Sequence, residues 1–287
     1  MITHPVPSMY ADLKRLWQQA FGDTDAWLDA YFRYRHNDAH MYVTVVDDEE
    51  IASMLSLLPV CLVHQSQCFS ARYLYAVATD EQWQGLGLSQ AMTEQALEQL
   101  RTQGIQAVVT VPATPSLFSF YAKQGFAPFS SVQTRLINGS SLSISANGQA
   151  LPCDAPTLFS LRRQLLEKRG NVWGQWDVSA LRYVLFNAQQ SGGGAYHVET
   201  PQGQACVVVE YAQGQADVKE LLSDGVAVET VLALLDSHLH AQCYRLRLPA
   251  SGHSTDMPFS MVYWLDPQAQ QSVASASTPP YFSLVLD

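Results

Sequence analysis

Two short segments carry the residue types from which anion binding and acid catalysis can be built. The first is Leu74-Tyr75-Ala76-Val77-Ala78-Thr79, followed after a short gap by Gln84-Gly85-Leu86-Gly87-Leu88-Ser89. A strand that runs into a glycine-containing loop and then a helix leaves several backbone N–H groups unpaired and pointing one way. That turn suits a phosphate, because the helix dipole favours negative charge and glycine lets an anion approach the main chain. A side chain at 85 or 87 would occupy the anion's position. A GxG before a helix is equally an ordinary tight turn, and the motif alone does not separate the two readings.

The second segment is Phe120-Tyr121-Ala122-Lys123-Gln124-Gly125-Phe126, with Tyr121 36 residues beyond Gly85. A phenol placed beside a leaving group is a proton donor. The competing reading of Tyr121 is a half-buried aromatic that packs the last turn of a helix.

The elements that must position these residues emerge from patterning. Helical patterns at 9–21 and 26–35 precede strand-like runs at 41–46, 51–58 and 73–78, with Asp47-Asp48-Glu49-Glu50 as a polar turn. A helix opens at Leu88, where Leu88, Met92, Ala96 and Leu100 recur every four residues, and ends at Gly104. A β-rich run at 107–111 leads to Thr114-Pro115, an N-cap with proline at the first helical position, and that helix stops at Gly125.

The second half repeats this order. Asp154 and Asp177 cap helices over 155–169 and 178–186; strand runs at 196–199, 205–211 and 217–222 lead to a helix over 226–240. Runs at 243–248, 259–265 and 281–286 complete the set. Gly192-Gly193-Gly194 reads as a mobile loop, and the Ala, Ser and Gln-rich stretch 268–280 as a surface loop. The turn-rich segment from Asn138 to Pro156 separates the halves, which gives domains at 1–140 and 150–287.

Composition narrows the functional classes. The chain has 287 residues, enough for two cores, and 47% hydrophobic against 15% charged residues is a globular balance. With 16 Lys+Arg against 26 Asp+Glu the formal charge is −10, and no basic stripe exists for nucleic acid or a membrane surface. The N-terminus lacks signal-peptide regions, and the apolar stretch 51–63 is too short to span a bilayer. Five cysteines form an odd set without CxxC or nearby histidines at ligand spacing, which reads as reduced thiols in a cytoplasmic protein with no metal site.

Taken together, the two motifs resemble the GNAT superfamily of N-acetyltransferases over residues 5–137. Val77-Ala78-Thr79, Gln84-x-x-Gly87-x-Ser89 and Phe120-Tyr121-x-Lys123-x-Gly125-Phe126 match the family's strand, (Q/R)xxGx(G/A) loop and FYxKxGF-type element in order and spacing. Two departures stand out: Ser89 replaces Gly or Ala, and Gln84 replaces the commoner Arg and removes a charge. The frame Gln82-x-x-Gly85-x-Gly87 also fits the pattern and places the same loop at the pyrophosphate.

The resemblance implies an α+β fold of the GNAT type, with two GNAT-like domains in tandem and a second that has lost its coenzyme site. It implies acetyl-coenzyme A as co-substrate, held by Val77, Ala78, Thr79 and the loop Gln84, Gly85, Leu86, Gly87, Leu88 and Ser89. The strand 74–79 would splay from its neighbour, and an N–H near Val77 would face the thioester oxygen. Tyr121 would protonate the departing thiolate, and a small-molecule amine would be the acceptor. A homo-oligomer is left open.

The attacking amine must lose a proton, and no residue announces itself as the base. Asp80, Glu81, His36, His40 and the terminal carboxylates of Asp287 are candidates, each with a solvated or packing role as the commoner alternative. Trp17, Phe21, Trp27, Tyr31, Phe32 and Tyr34 crowd the first two helices, as core or as walls of an acceptor pocket. A non-catalytic acyl-coenzyme A binder and an acyl transfer to a hydroxyl or peptide are the competing functions.

Overall fold

The computed structural model describes residues 1–46, 50–142, 146–250, 252 and 256–286; the polar turn at 47–49 and Asp287 lie outside the described residues. Contacts divide the chain into two units. Unit 1 comprises Met1–Leu62, Cys68–Ala127 and Met261–Ser275; unit 2 comprises Val63–Gln67, Pro128–Ser260 and the residues from Ala276 onward.

Unit 1 opens with a short strand, β1 (Ile2–Thr3), and two helices, α1 (Tyr10–Phe21) and α2 (Asp25–Tyr34). Leu13, Leu16 and Trp17 bury one face of α1, and Gly22, left-handed at φ 74, ends it. Then come β2 (Met41–Val46), β3 (Glu50–His64), β4 (Gln67–Thr79), α3 (Leu88–Thr102), β5 (Ala107–Thr110) and α4 (Pro115–Lys123). These five strands lie side by side in chain order. β1, β2 and β3 pair antiparallel; β4 and β5 pair in parallel across the α3 connection. Met92, Ala96, Leu97 and Leu100 of α3 pack with Leu55, Leu57, Leu74, Val108 and Tyr121 into one core.

β3 and β4 run several residues beyond the expected strands because they form a hairpin about Gln65-Ser66, where φ is 48 and 66. Positive φ at both central residues is the turn that matches strand twist, and Asn-Gly is its usual signal. Cys61 on β3 and Cys68 on β4 are joined by a disulfide with Cα atoms 5.8 Å apart. The expectation of five reduced thiols is corrected to three, Cys153, Cys206 and Cys243. The physical reason is the hairpin, which brings two cysteines on neighbouring strands together.

Unit 2 contains β6 (Ala127–Asn138), β7 (Gln149–Pro152), α5 (Ala155–Arg169), β8 (Trp173–Gln175), α6 (Val178–Gln190), β9 (Gly194–Thr200), β10 (Gly203–Ala212), β11 (Gln215–Asp224), α7 (Val228–Leu239) and β12 (Cys243–Pro249). Asp154 and Asp177 cap α5 and α6, accepting from the N–H of Thr157 at 2.9 Å and of Ala180 at 2.6 Å. Strand order is β6-β12-β11-β10-β9-β7, with β11 and β12 parallel and the other pairs antiparallel. Two helices, three strands, a helix and a strand thus recur, with β8 inserted between the helices. The glycine run 192–194 is a close backbone approach rather than the expected mobile loop: a Cβ on Gly193 would lie 2.0 Å from the Val209 carbonyl oxygen.

The chain then forms β13 (Met257–Trp264) and α8 (Pro267–Ala274). Met261–Trp264 pairs antiparallel with β5, from Met261↔Thr110 to Trp264↔Ala107. The chain therefore divides elsewhere than at the expected 140 and 150: it leaves unit 1 at Ala127 and returns at Met261. The strand that returns covers what would otherwise be an open sheet edge. α8 replaces part of the loop expected at 268–280. Its start is an aspartate cap followed by proline: Asp266 accepts from the N–H of Gln268 at 2.9 Å, and Ala269 and Val273 are buried. Residues 281–286 form no strand; Tyr281 makes a single bridge to Trp173. No described helix is long and apolar enough to cross a membrane.

Candidate active site

The rungs between β4 and β5 run from Ala71↔Ala107 to Leu74↔Thr110 and stop there, while β4 continues to Thr79. Residues 75–79 therefore leave the parallel partner behind. Within this stretch Ala76 is left-handed at φ 50 and buried. A non-glycine residue in that region is strained, and inside a strand it marks a bulge that shifts side chains to the other face. The alternation of β4 breaks earlier, at Tyr73 and Leu74, both buried where the rungs with β5 end, and runs regularly from Leu74 to Thr79. The free end is tied on its other side to β3. Ser53 Oγ donates to the Ala78 carbonyl at 2.7 Å and lies 2.9 Å from Thr79 Oγ1, and the N–H of Asp80 reaches the Ala52 carbonyl at 2.9 Å.

Asp80 starts a 3₁₀ turn over Glu81–Trp83, accepting from the N–H of Gln82 at 3.2 Å, and its other oxygen meets Arg15 Nη1 at 3.3 Å. Its carboxylate is buried and occupied by these bonds. Gln84 turns back to donate from Nε2 to the Thr79 carbonyl at 3.1 Å, so its side chain braces the loop. Gly85 and Gly87 come next at φ 80 and 75, and Gly87 is the N-cap of α3 with no side chain capping it. A Cβ at either glycine would meet nothing within 4 Å. Both face open space. The N–H groups of Leu88, Ser89 and Gln90 have no intrahelical acceptor in this first turn. Thr79, Trp83, Gln84, Gly85, Gly87, Leu88 and Ser89 line a cavity of about 290 Å³, and none of the seven is charged.

Tyr121 lies in the last turn of α4 and is 6% exposed. Its ring meets Phe120 and Phe126 edge-on, with centroids 5.2 and 5.4 Å away. α4 closes on Gly125 at φ 90, and the N–H of Phe126 returns to the Tyr121 carbonyl at 3.1 Å. Burial pushes the Tyr121 phenol up to about 12, with a side-chain hydrogen bond to Thr110 acting the other way. The phenol is protonated throughout the neutral range. Thr110 is the last residue of β5, and its hydroxyl donates to the Leu74 carbonyl at 3.2 Å.

The first two helices supply an aromatic wall. Trp17 packs against Tyr31 at 4.5 Å and Tyr75 at 5.7 Å, and Tyr73 stacks on Tyr75 at 5.8 Å. Trp17 and Tyr31 are fully buried core residues, whereas Tyr75, beside the bulge, is half-buried. His36 Nε2 bonds Asp38 at 2.8 Å, and its ring sits between Tyr10 and Phe32. Burial first, then the charges of Arg72, Arg35 and His4, hold the His40 imidazole below its usual range.

The structure thus brings 77–79, the loop 84–89 and Tyr121 into one unit around the free end of β4. Ala76 and Thr110 escaped the sequence reading, because neither an alanine at positive φ nor a threonine in an apolar strand has a distinguishing signal.

Residues 5–129 match the domain family described as acetyltransferase (GNAT) domain. Among solved structures, a conserved protein of unknown function from Enterococcus faecalis, described as a probable N-acyltransferase, is 14% identical with a TM-score of 0.73 over 96% of this chain and 74% of its own. A GCN5-related N-acetyltransferase from Anabaena variabilis is 15% identical, TM-score 0.72, covering 93% and 73%. One from Kribbella flavida is 15% identical, TM-score 0.69, covering 93% and 71%. The fold is that of the GNAT proteins. None of the curated protein sequences matches the chain. The GNAT match includes β4, the glycine loop and Tyr121, and stops at the start of unit 2.

Proposed function

We propose that this protein is an acyl-coenzyme A-dependent N-acyltransferase that acylates a primary amine of a small molecule by direct attack in a ternary complex. The observation that carries the reading is the free end of β4, flanked by the open glycine loop and by the Tyr121 phenol. Acyl-coenzyme A, when bound, supplies a thioester carbonyl for attack and a thiolate to expel.

The loop fits a diphosphate. Left-handed Gly85 and Gly87 leave space that side chains would fill, and the first-turn amides of α3 offer donors. Gln84, Gly85, Leu86, Gly87, Leu88 and Ser89 hold the phosphates through the main chain, since no basic residue lines the cavity. Val77, Ala78 and Thr79 offer main-chain groups to the pantetheine arm. An N–H at Val77 stabilises charge developing on the acyl oxygen, a contribution of about 3 kcal/mol. Tyr121 donates its phenolic proton to the departing sulfur. Buried and protonated, it holds that proton without competition from water.

Unit 2 is a second GNAT-like half without a coenzyme site. The recurring element order and the parallel pair β11–β12 support this assignment. Thiol release with acetyl-coenzyme A across a panel of amines tests the function. Amine-dependent release supports it; coenzyme binding by calorimetry without turnover on any amine favours a non-catalytic acyl-coenzyme A binder.

A further inference from the structure

Residues 281–286 are buried throughout yet form no strand, so their main-chain groups must be satisfied by other means. Four consecutive carbonyls find four different donors within unit 2. Tyr281 accepts from the N–H of Gly174 at 3.1 Å, Phe282 from Ser130 Oγ at 3.3 Å, Ser283 from Arg247 Nη1 at 3.0 Å and Leu284 from Trp176 Nε1 at 2.8 Å. Side chains fix the register. The Tyr281 hydroxyl donates to Glu220 Oε1 and accepts from Ser283 Oγ, both at 2.8 Å. The Phe282 ring lies 5.7 Å from that of Trp176 and fills the hollow left by Gly174, where a Cβ would collide with it.

Two of these partners lie just past the last rung of the parallel pair, Val218↔Leu246: Glu220 on β11 and Arg247 on β12. The segment is therefore bonded to both strands where they part. Capture of successive carbonyls, with a pocket for one ring, is how proteins hold extended peptides. Resting on the reading of unit 2 as a GNAT-like half, we propose that unit 2 carries a groove for an extended peptide and that residues 281–286 are its resident ligand, lying where the other half would lay a coenzyme arm. Glu220 selects the tyrosine hydroxyl and Gly174 the phenylalanine ring. Arg162, bonded to the same carboxylate, holds Glu220 in place. A core segment leaves only when its unit unfolds, whereas a ligand can leave and be replaced.

The test uses the full chain carrying Tyr281→Ala and Phe282→Ala, read by amide hydrogen exchange and by fluorescence anisotropy with a labelled synthetic peptide of residues 279–286. Amides of 281–286 should exchange roughly 100-fold faster than in wild type, with those of β10 and α7 unchanged. The peptide should bind this variant roughly tenfold or more tighter than wild type, whose groove is filled, and lose that binding when its own phenylalanine is alanine. Tyr281→Phe, which removes one hydrogen bond and keeps the ring, should speed exchange of 281–286 alone by roughly tenfold, and it serves if the double variant does not fold. Acceleration of β10 together with the segment, in either variant, shows a core element and overturns the proposal. So does a released segment without peptide binding, or equal peptide binding to variant and wild type. Coenzyme titration of the wild type separates the two readings: two equivalents per chain would overturn the coenzyme-free assignment of unit 2 and the groove with it, whereas one equivalent leaves the exchange and peptide results to decide.

Discussion

The parallel pair of unit 1 is held by rungs from Ala71↔Ala107 to Leu74↔Thr110, and that of unit 2 by rungs from Gln215↔Cys243 to Val218↔Leu246. Both pairings end well before the longer strand does. Just past the last rung each longer strand is irregular: Ala76 is left-handed in β4, and in β11 the register with β10 jumps from Val209↔Val218 to Val208↔Glu220, passing over Lys219. The scaffolds are alike up to the irregularity and differ beyond it. In unit 1 the strand ends in Val77, Ala78 and Thr79 and leads, past the turn at Glu81–Trp83, to two glycines facing open space. In unit 2 Glu220 turns into the interior, where its carboxylate takes both Arg162 Nε and Nη2, the latter at 3.0 Å, and the Tyr281 hydroxyl at 2.8 Å. Asp224 pairs with Lys168, and a Cβ on Gly225 would lie 2.4 Å from the Gln202 carbonyl oxygen. A parting of two parallel strands becomes a cleft only if the next side chains leave it empty.

Breaking the buried pair should produce the largest change. Glu220→Ala leaves Arg162 charged and alone in the core of unit 2, at a cost of about 3–5 kcal/mol, measured by urea unfolding. A loss below about 1 kcal/mol would mean that the pair fills space without holding the unit together. Tyr121→Phe comes next, with turnover reduced about 100-fold and coenzyme affinity kept. If turnover survives, Tyr121 is packing, and the two units differ less than their clefts suggest.

The glycines sharpen the comparison further. Gly87→Ala places alanine at positive φ for about 1–2 kcal/mol and should weaken coenzyme binding roughly tenfold by calorimetry. Gly225→Ala adds a clash with Gln202, so it should lower the melting temperature more and leave coenzyme binding alone. The smallest effect concerns pH. Burial holds the Tyr121 phenol up at about 12, from an ordinary 10.0. Its contribution to stability is complete below the unfolded value and fades as pH rises through the folded one. Turnover should not decline through loss of the acid between pH 7 and 9, and between pH 10 and 12 wild type should lose more stability than Tyr121→Phe.

The parts of the site that are local in sequence were legible. Gly85 and Gly87 beside a helix start, and Tyr121 just before a terminating glycine, carry their signals within a few residues. Ala76 does not, since its φ is imposed by pairing with strands rather than by residue type. The 65–66 turn lacked asparagine or glycine, which hid both the hairpin and the Cys61–Cys68 disulfide. α8 was concealed by composition, although Asp266-Pro267 marks its start. Asp80 had the chemistry of a base, but its bonds to Arg15 and the Gln82 amide give it a bracing role that only three dimensions reveal. The pairing of β13 with β5 joins residues about 150 apart, beyond the reach of any local pattern.

That last pairing also has a temporal side. Synthesis proceeds from the N-terminus, so Ala107–Thr110 leaves the ribosome long before Met261–Trp264 exists. Until then one flank of the nascent sheet stays bare, open to wrong partners, and the half that carries the glycine loop matures only after nearly all of its sibling has been translated.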